Sequence, residues 1–180
     1  MAALADPTAG LVAYWPLEEG TGSTTADASG GGRTGTLTGG TSWTAGKVGS
    51  GAVAFDGVNG RLTFTALPLT TTFTVAMWIY PVPSSANYGT LLAEDTTKGI
   101  WYRGGSRKIE FYPASQASQT ALTENQWHHV AVVCNAGNVT YYLDGVTDGT
   151  ATGGIAFNAE TIGDDPGSET FKGQMDEVRV

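Results

Sequence analysis

Basic residues are scarce in this chain of 180 residues. Nine lysines and arginines stand against seventeen aspartates and glutamates, which gives a formal net charge of -8. Nucleic acids and anionic membranes attract proteins with a basic face, so this charge argues against either partner. No apolar run reaches the length of a membrane-spanning helix, and we expect no membrane insertion. Cys134 is the only cysteine and cannot form an internal disulfide, and its apolar surroundings predict a buried, unreactive thiol.

Familiar catalytic and metal-binding motifs are absent as well. The sequence contains no G-x-S-x-G, no H-E-x-x-H and no D-x-D-x-D-G loop. His128 and His129 are neighbours on a predicted strand, so they face opposite sides, and we expect them to hydrogen-bond to nearby groups. Asp164-Asp165 and Asp176-Glu177 are adjacent pairs, so no strand presents two carboxylates on one face. The sequence therefore predicts a protein that is not an enzyme.

Glycine, with 26 residues, is abundant, and only 14% of the chain is charged, which disfavours long helices and predicts an all-β fold. The clearest pattern covers residues 127–145. Two apolar runs, at 127–134 and 139–143, flank N-A-G-N, and Asp144-Gly145 then supplies the positive-φ pair of a tight hairpin. With a third strand from Val146, this predicts an antiparallel meander. Its middle strand is apolar on both faces, which predicts a second layer packed over the sheet.

Turn-punctuated strands fill the rest of the sequence. They are predicted at 11–17, 35–38, 51–55, 61–65, 73–80, 90–93, 99–103, 107–112, 121–122, 155–163 and 174–180. We expect D-G-V-N-G to join the strands at 51–55 and 61–65 as a hairpin. In the last strand, simple alternation places Met175 and Glu177 on one face and Asp176 and Val178 on the other. The apolar strands predict core positions for three tryptophans, namely Trp15, Trp78 and Trp127.

Several sequence blocks resemble one known family. G-L-V-A-Y-W-P-L-E-E-G-T-G, A-D-A-S-G, G-S-G-A-V-A-F-D-G, F-T-V-A-M-W-I-Y-P, W-H-H-V-A-V-V, Y-Y-L-D-G and M-D-E-V-R-V occur in the order of the laminin-G-like, concanavalin-A-like jelly-roll family. The resemblance implies a two-sheet antiparallel β-sandwich over residues 10–180, with residues 1–9 as a leader or remnant. It also implies an extracellular or cell-surface module of a larger protein. Glucanases of this fold carry E-x-D-x-x-E or E-x-D-x-E along one strand, and this chain has neither.

The resemblance further implies a structural calcium ion. Asp27 lies in a glycine-rich stretch whose carbonyls could turn inward, and neighbouring first and last strands would bring Asp176 towards it. We expect these two residues to bind calcium with carbonyls of residues 30–36, so that calcium raises the melting temperature. The family's loop often has asparagine where this chain has Gly31-Gly32-Arg33, and a cation at Arg33 opposes calcium unless it points away. The alternative is that Asp27 and Asp56 only make hydrogen bonds within turns.

Aromatic side chains near the 90–112 strands predict a carbohydrate site, because sugars stack their C–H faces on aromatic rings. Trp101 and Arg103 share one strand face, and Glu110 and Tyr112 share a face of the partner strand. The predicted site consists of Tyr88, Trp101, Arg103, Glu110 and Tyr112. Trp101 is the expected open stacking platform, whose loss should leave the melting temperature nearly unchanged. The alternative is that Trp101 and Tyr112 are core residues.

Three functions remain open from the sequence. A non-catalytic module that binds polysaccharide or glycan is preferred, and an open aromatic-lined groove would favour it. A structural or adhesive module that contacts protein is the alternative, and a flat polar surface would favour that. A glycoside hydrolase or lyase of the same fold is least favoured, and close paired carboxylates in a cleft would revive it.

Overall fold

The computed structural model describes residues 10–84, 86–167 and 169–180. Residues 1–9, the predicted leader, lie outside them. The described part contains strands, turns and loops, and no helix in it is long and apolar enough to cross a membrane. Its strands are β1 (Tyr14–Trp15), β2 (Thr24–Thr25), β3 (Gly35–Thr38), β4 (Thr41–Thr44), β5 (Ala52–Asp56), β6 (Arg61–Leu69), β7 (Thr72–Pro81), β8 (Tyr88–Asp95), β9 (Lys98–Arg103), β10 (Lys108–Tyr112), β11 (His128–Asn135), β12 (Asn138–Leu143), β13 (Val146–Thr152), β14 (Phe157–Ile162) and β15 (Lys172–Arg179).

These strands form two antiparallel sheets, as the sequence predicts. The eight-stranded sheet has the order β13-β12-β11-β7-β15-β5-β4, with β1 paired to β15. The seven-stranded sheet has the order β10-β9-β8-β14-β6-β3-β2. One cluster of buried apolar side chains from both sheets fills the space between them. The fold is therefore a jelly-roll β-sandwich.

The predicted meander is confirmed as β11, β12 and β13. Asp144 and Gly145 turn the chain between β12 and β13 with φ values of 50° and 81°. The Asp144 carboxylate binds the His128 ring at 2.8 Å and accepts the His129 backbone N–H at 2.8 Å, so it fastens the turn to β11. Hydrogen bonding of His128 is thereby confirmed. Cys134 is buried, as predicted, and burial raises the pKa of its thiol.

The structure does not cover both faces of β12, the middle strand of the meander, where buried residues alternate with half-buried or exposed ones, and the same holds for the neighbouring strands. In β7 and β11 buried residues alternate with half-buried ones, so only one face of each strand is fully covered. Trp15 is buried in the core as predicted. Trp78 and Trp127, however, are half-buried on the outer face, where they pack edge-on against His129 and Tyr80. Aromatic rings in contact across neighbouring strands stabilise a half-exposed sheet face, and so these tryptophans need no second layer.

The hairpin predicted at D-G-V-N-G is wrong. The turn carries the chain from β5 in the eight-stranded sheet to β6 in the seven-stranded sheet, where β6 pairs with β14 and β3. Asp56 Oδ1 closes this corner by accepting the backbone N–H groups of Val58, Asn59 and Gly60 at 2.8, 3.1 and 3.1 Å. The segment at 41–44, where the sequence predicted no strand, pairs with β5 on one side, and β15 pairs with β5 on the other.

Three further strand predictions differ from the structure. The strand at 11–17 is confined to Tyr14–Trp15, and residues 121–122 are not in a strand. In β15, Glu177 has a φ of 56° and lies at a bulge in the pairing with β7. The bulge interrupts simple alternation, so Met175 and Val178 are both buried in the core.

The outer face of β8, β9 and β10 carries the candidate site. Ile100 and Tyr102 of β9 belong to the buried core, whereas Trp101 between them points to the opposite face. The segment between β14 and β15 folds back over this face: the carbonyl of Glu169 accepts both the backbone N–H and the hydroxyl of Thr90, each at 2.8 Å. Since Thr90 pairs with Trp101, this segment also covers the indole.

Candidate functional site

Four of the five predicted site residues line one pocket. The register of β9 and β10 places Glu110 opposite Trp101 and Tyr112 opposite Gly99, which sets three of these side chains beside one another. Tyr88 reaches the same pocket from β8, and Thr96 reaches it from the turn that follows β8. The cavity has a volume of about 140 Å³, and it is lined by Tyr88, Thr96, Trp101, Glu110, Tyr112 and Glu169.

Arg103, the fifth predicted residue, holds the pocket wall in place. Its Nε lies 3.3 Å from a carboxylate oxygen of Glu110, and its Nη2 donates to the Tyr88 hydroxyl at 3.2 Å. The guanidinium also lies 5.4 Å from the centre of the Tyr88 ring. Arg103 therefore orients one acid and one aromatic residue of the pocket and neutralises part of the Glu110 charge.

Trp101 is not the open stacking platform that the sequence suggests. Its side chain is almost wholly buried, with 2% exposed, and it meets the Tyr112 ring edge-on at 6.5 Å between ring centres. It lies outside the hydrophobic core, so it forms the floor of the pocket. The exposed aromatic ring of the pocket is Tyr112, with 47% of its surface accessible.

The indole N–H of Trp101 is a buried donor without a hydrogen-bond partner in the described part of the chain. The N–H lies close enough to Glu169 to lower the pKa of that carboxyl group, but the two groups are not in hydrogen-bond geometry. Buried polar groups are nearly always paired in native proteins. An unpaired donor at the floor of a pocket is therefore a candidate contact for a ligand.

Glu169 is the functional candidate that sequence reasoning missed. It lies in the loop between β14 and β15, and no motif or strand pattern connects it with β9 or β10. Burial raises the pKa of Glu169 to about 7, and the nearby acidic groups of Asp165 and Glu110 add to the effect. The pocket thus contains two carboxyl groups, Glu110 and Glu169, that interact electrostatically.

Asp165 supports the Glu169 loop from beneath. It is fully buried, and its Oδ1 accepts the backbone N–H groups of Gly167 and Glu169 at 2.8 and 3.2 Å. Its Oδ2 is buried without a partner among the described residues. Next to it, Asp164 forms an ion pair with Arg61 at 2.7 Å, so that cation is engaged outside the pocket lining.

The surroundings of Asp27 do not fit the predicted calcium ion. Its Oδ1 accepts the Tyr14 N–H and both donors of Ser29, and its Oδ2 accepts the Arg33 N–H at 3.0 Å. The Arg33 guanidinium points into the loop and donates to the carbonyls of Val12 and Gly31 at 3.1 and 3.4 Å. A cation therefore already binds the Gly31 carbonyl, which is one of those that the predicted calcium ion would use. Asp27 thus makes the hydrogen bonds of the alternative, together with one to the more distant Tyr14, and calcium binding stays a prediction.

Asp176, the other predicted calcium ligand, serves a different segment. β1 and β15 are neighbours as predicted, but Asp176 Oδ2 accepts the backbone N–H groups of Lys47 and Val48 at 2.8 and 2.9 Å. The carboxyl is buried, and burial raises its pKa. Across residues 10–84, 86–167 and 169–180, no group of three or more histidine, cysteine, aspartate or glutamate side chains could hold a metal ion.

Comparison with known sequences identifies one family. The profile of Laminin_G_3, described as the concanavalin A-like lectin/glucanases superfamily, matches residues 55–180, which is more than half of the chain. No curated protein matches the sequence significantly.

Solved structures resemble the whole sandwich at low sequence identity. Domain 4 of AbnA, a GH43 extracellular arabinanase from Geobacillus stearothermophilus solved with arabinotriose, aligns with a TM-score of 0.73 and 21% identity, over 94% of this chain and 90% of that one. The binding domain of Paraclostridial Mosquitocidal Protein 1 gives 0.71 and 14%, over 94% and 48%. A sialidase from Trypanosoma rangeli gives 0.68 and 17%, over 96% and 30%. At these identities the likeness shows the fold alone.

Proposed function

Because the chain belongs to the concanavalin A-like lectin/glucanase superfamily, we propose that it is a carbohydrate-binding module that does not turn its ligand over. The observation that carries the proposal is the pocket on β8–β10, which combines an exposed tyrosine ring with two carboxyl groups and a buried, unpaired donor. Such pockets bind sugars through apolar stacking and a few oriented polar groups. The solved domain with arabinotriose supports a sugar as the ligand class.

In this proposal Tyr112 stacks on the C–H face of one sugar ring. Glu110 and Glu169 accept hydrogen bonds from sugar hydroxyls, while Arg103 keeps Glu110 and Tyr88 in place. A shallow site of this kind gives weak affinity, in the range of about micromolar to millimolar.

A role within a larger extracellular or surface protein is part of the same proposal. One supporting structure is a domain of an extracellular enzyme, and this chain covers 90% of that domain. The alternative of an adhesive, protein-contacting module has less support, because the β8–β10 face is concave and lined by aromatic rings rather than flat.

Glycoside hydrolysis is the second candidate, and one observation favours it. Glu110 and Glu169 line one pocket, and the pKa of Glu169 is raised to about 7, as expected of a catalytic acid. Two observations favour binding instead. Glu110 is engaged by Arg103, and the cavity of about 140 Å³ is small for the two sugar units that flank a scissile bond.

The test is a glycan screen of the wild type together with Tyr112→Ala. We expect binding to a polysaccharide or oligosaccharide, and we expect Tyr112→Ala to weaken it at least about tenfold while the melting temperature changes little, because the ring is 47% exposed. Tyr142→Ala is the matched control, because Tyr142 lies on β12 in the other sheet. This variant should bind the glycan as the wild type does. A wild type that binds no glycan in a broad screen would transfer support to the protein-contact alternative.

Reducing-sugar assays on the bound polymers separate binding from hydrolysis. We expect no release by the wild type. Release that disappears in both Glu110→Gln and Glu169→Gln would establish the hydrolase and contradict the non-catalytic proposal.

A further inference from the structure

Charge in the pocket is unbalanced. Glu110 and Glu169 both line it, and buried Asp165 lies behind Glu169. Among the described residues, Arg103 is the one cation that forms an ion pair with a pocket acid, and its guanidinium is bound to Glu110 and Tyr88. Arg61 contacts only the Asp164 carboxylate and the backbone carbonyl of Asp165. The side of the pocket formed by Glu169 therefore has no compensating positive charge within its lining, and the field there disfavours an anion.

The hydrogen-bonding groups of the pocket further restrict the class of ligand that it can bind. At the floor, the Trp101 N–H is a buried donor without a partner among the described residues, and the Glu169 carboxyl group lines the same pocket. A sugar hydroxyl can bond to both groups, because it accepts one hydrogen bond and donates another. A carboxylate can accept from Trp101 but cannot donate to Glu169, and an ammonium group can donate but cannot accept.

We propose that this pocket selects an uncharged sugar unit, one of whose hydroxyls bridges Trp101 Nε1 and Glu169, and that it excludes acidic sugars. The inference rests on the proposed carbohydrate-binding function and names its ligand class. Uronates, sialic acid and sulfated sugars are the excluded group. The cavity of about 140 Å³ is smaller than sites for extended ligands, which fits a single sugar unit.

The experiment compares matched sugars that differ in charge. Methyl glycosides of glucose, galactose, xylose and arabinose are titrated by NMR at pH 7.5, and so are those of glucuronic and galacturonic acid. We expect at least one neutral glycoside to bind and its acidic counterpart to bind at least about tenfold more weakly, because two like charges a few ångströms apart repel. An acidic glycoside that binds as tightly as its neutral counterpart overturns the inference but leaves the carbohydrate-binding function standing. Failure of all six to shift any resonance overturns both.

Two variants separate the two parts of the inference. Glu169→Gln keeps the shape but removes the charge, so the ratio of neutral to acidic affinity should fall by about tenfold. Trp101→Phe keeps a ring but removes the N–H, so the neutral affinity should fall by about tenfold while the ratio stays the same. An unchanged ratio in the first variant, or an unchanged neutral affinity in the second, overturns the corresponding contact.

Trp43→Phe is the control for the second variant. Trp43 lies on β4 in the other sheet, where its Nε1 donates to the Gly22 carbonyl at 2.8 Å, so the same substitution removes an indole N–H far from the pocket. It should leave both affinities as in the wild type.

Titrations of the wild type at pH 5.5, where Glu169 is mostly protonated, test the charge without any substitution. The affinity for the acidic glycoside should rise relative to the affinity for the neutral one. The other charged groups near Glu169 are Asp165, Glu110 and Arg103, with the Arg61–Asp164 ion pair next to Asp165. An unchanged ratio at pH 5.5 would overturn the assignment of the repulsion to Glu169.

Discussion

Replacing Trp101 with alanine is the sharpest test of the pocket floor. Truncation of a buried tryptophan costs about 3–5 kcal/mol of unfolding free energy. Trp101 is 2% exposed, but it lies outside the hydrophobic core and beneath a loop that can partly settle into the space. We therefore expect the lower end, about 3 kcal/mol. For a chain of this size, this corresponds to a melting temperature lower by about 6–12 °C.

Thermal and urea unfolding, followed by circular dichroism, measure this loss. Trp101→Phe keeps most of the packing and should lose about half as much. Tyr112→Ala removes the exposed neighbour of Trp101, and its free energy of unfolding should lie within about 1 kcal/mol of the wild-type value. If Trp101→Ala melts within about 2 °C of the wild type, Trp101 is not packed as described. The sequence-based expectation of an open platform would then be correct.

Three further predictions concern the core, the Arg33 loop and pH. Val132 is 2% exposed between the sheets, so Val132→Asp should unfold the domain, and a native circular dichroism melt of this variant would contradict that packing. The wild type should give the same melting curve in calcium and in chelator, because Arg33 binds the loop carbonyls. Arg33→Ala should lose about 1 kcal/mol of unfolding free energy and melt a few degrees lower. A melting temperature that rises with calcium would restore the predicted metal site. Glu169 binds its proton more tightly in the folded state, so the stability of the wild type relative to Glu169→Gln should fall as pH rises from about 4.5 to about 7, and a constant difference would contradict the raised pKa.

Local sequence patterns predicted most strands but not what each strand faces. β7 and β11 are both present, and Val75, Met77 and Ile79 are in the core as alternation requires. The apolar strands that contain Trp78 and Trp127 predict core positions for both residues. An antiparallel sheet can also carry partly exposed aromatic residues paired across its outer face, and sequence alone does not distinguish the two arrangements.

Turn signals have a similar limit. D-G-V-N-G does turn the chain, and Asp56 makes the hydrogen bonds that such a turn needs. Whether the turn closes a hairpin or a corner depends on the partner of the following strand. For β6 these partners are β3 and β14, and neither is adjacent to it in sequence.

The candidate site was predictable only where it lies on strands. Trp101, Arg103, Glu110 and Tyr112 come together because strand periodicity and one hairpin place them there. Glu169 and Asp165 arrive from a distant loop, so no spacing along the chain could associate them with Trp101. The burial of Trp101 was not predictable from the sequence either. The loop between β14 and β15 covers Trp101, so that Trp101 forms the floor of the pocket and not an open platform.

The pairing of the first and last strands has a mechanical consequence. Val12 N–H donates to the Val180 carbonyl at 2.8 Å, and Val180 N–H donates to the Ala13 carbonyl at 2.9 Å, so the two ends of the sandwich lie side by side. A polypeptide chain that continued beyond both ends would therefore enter and leave the sandwich at a single point. The sandwich would then rotate about that point without bending any of its own strands, and the β8–β10 pocket would move with it.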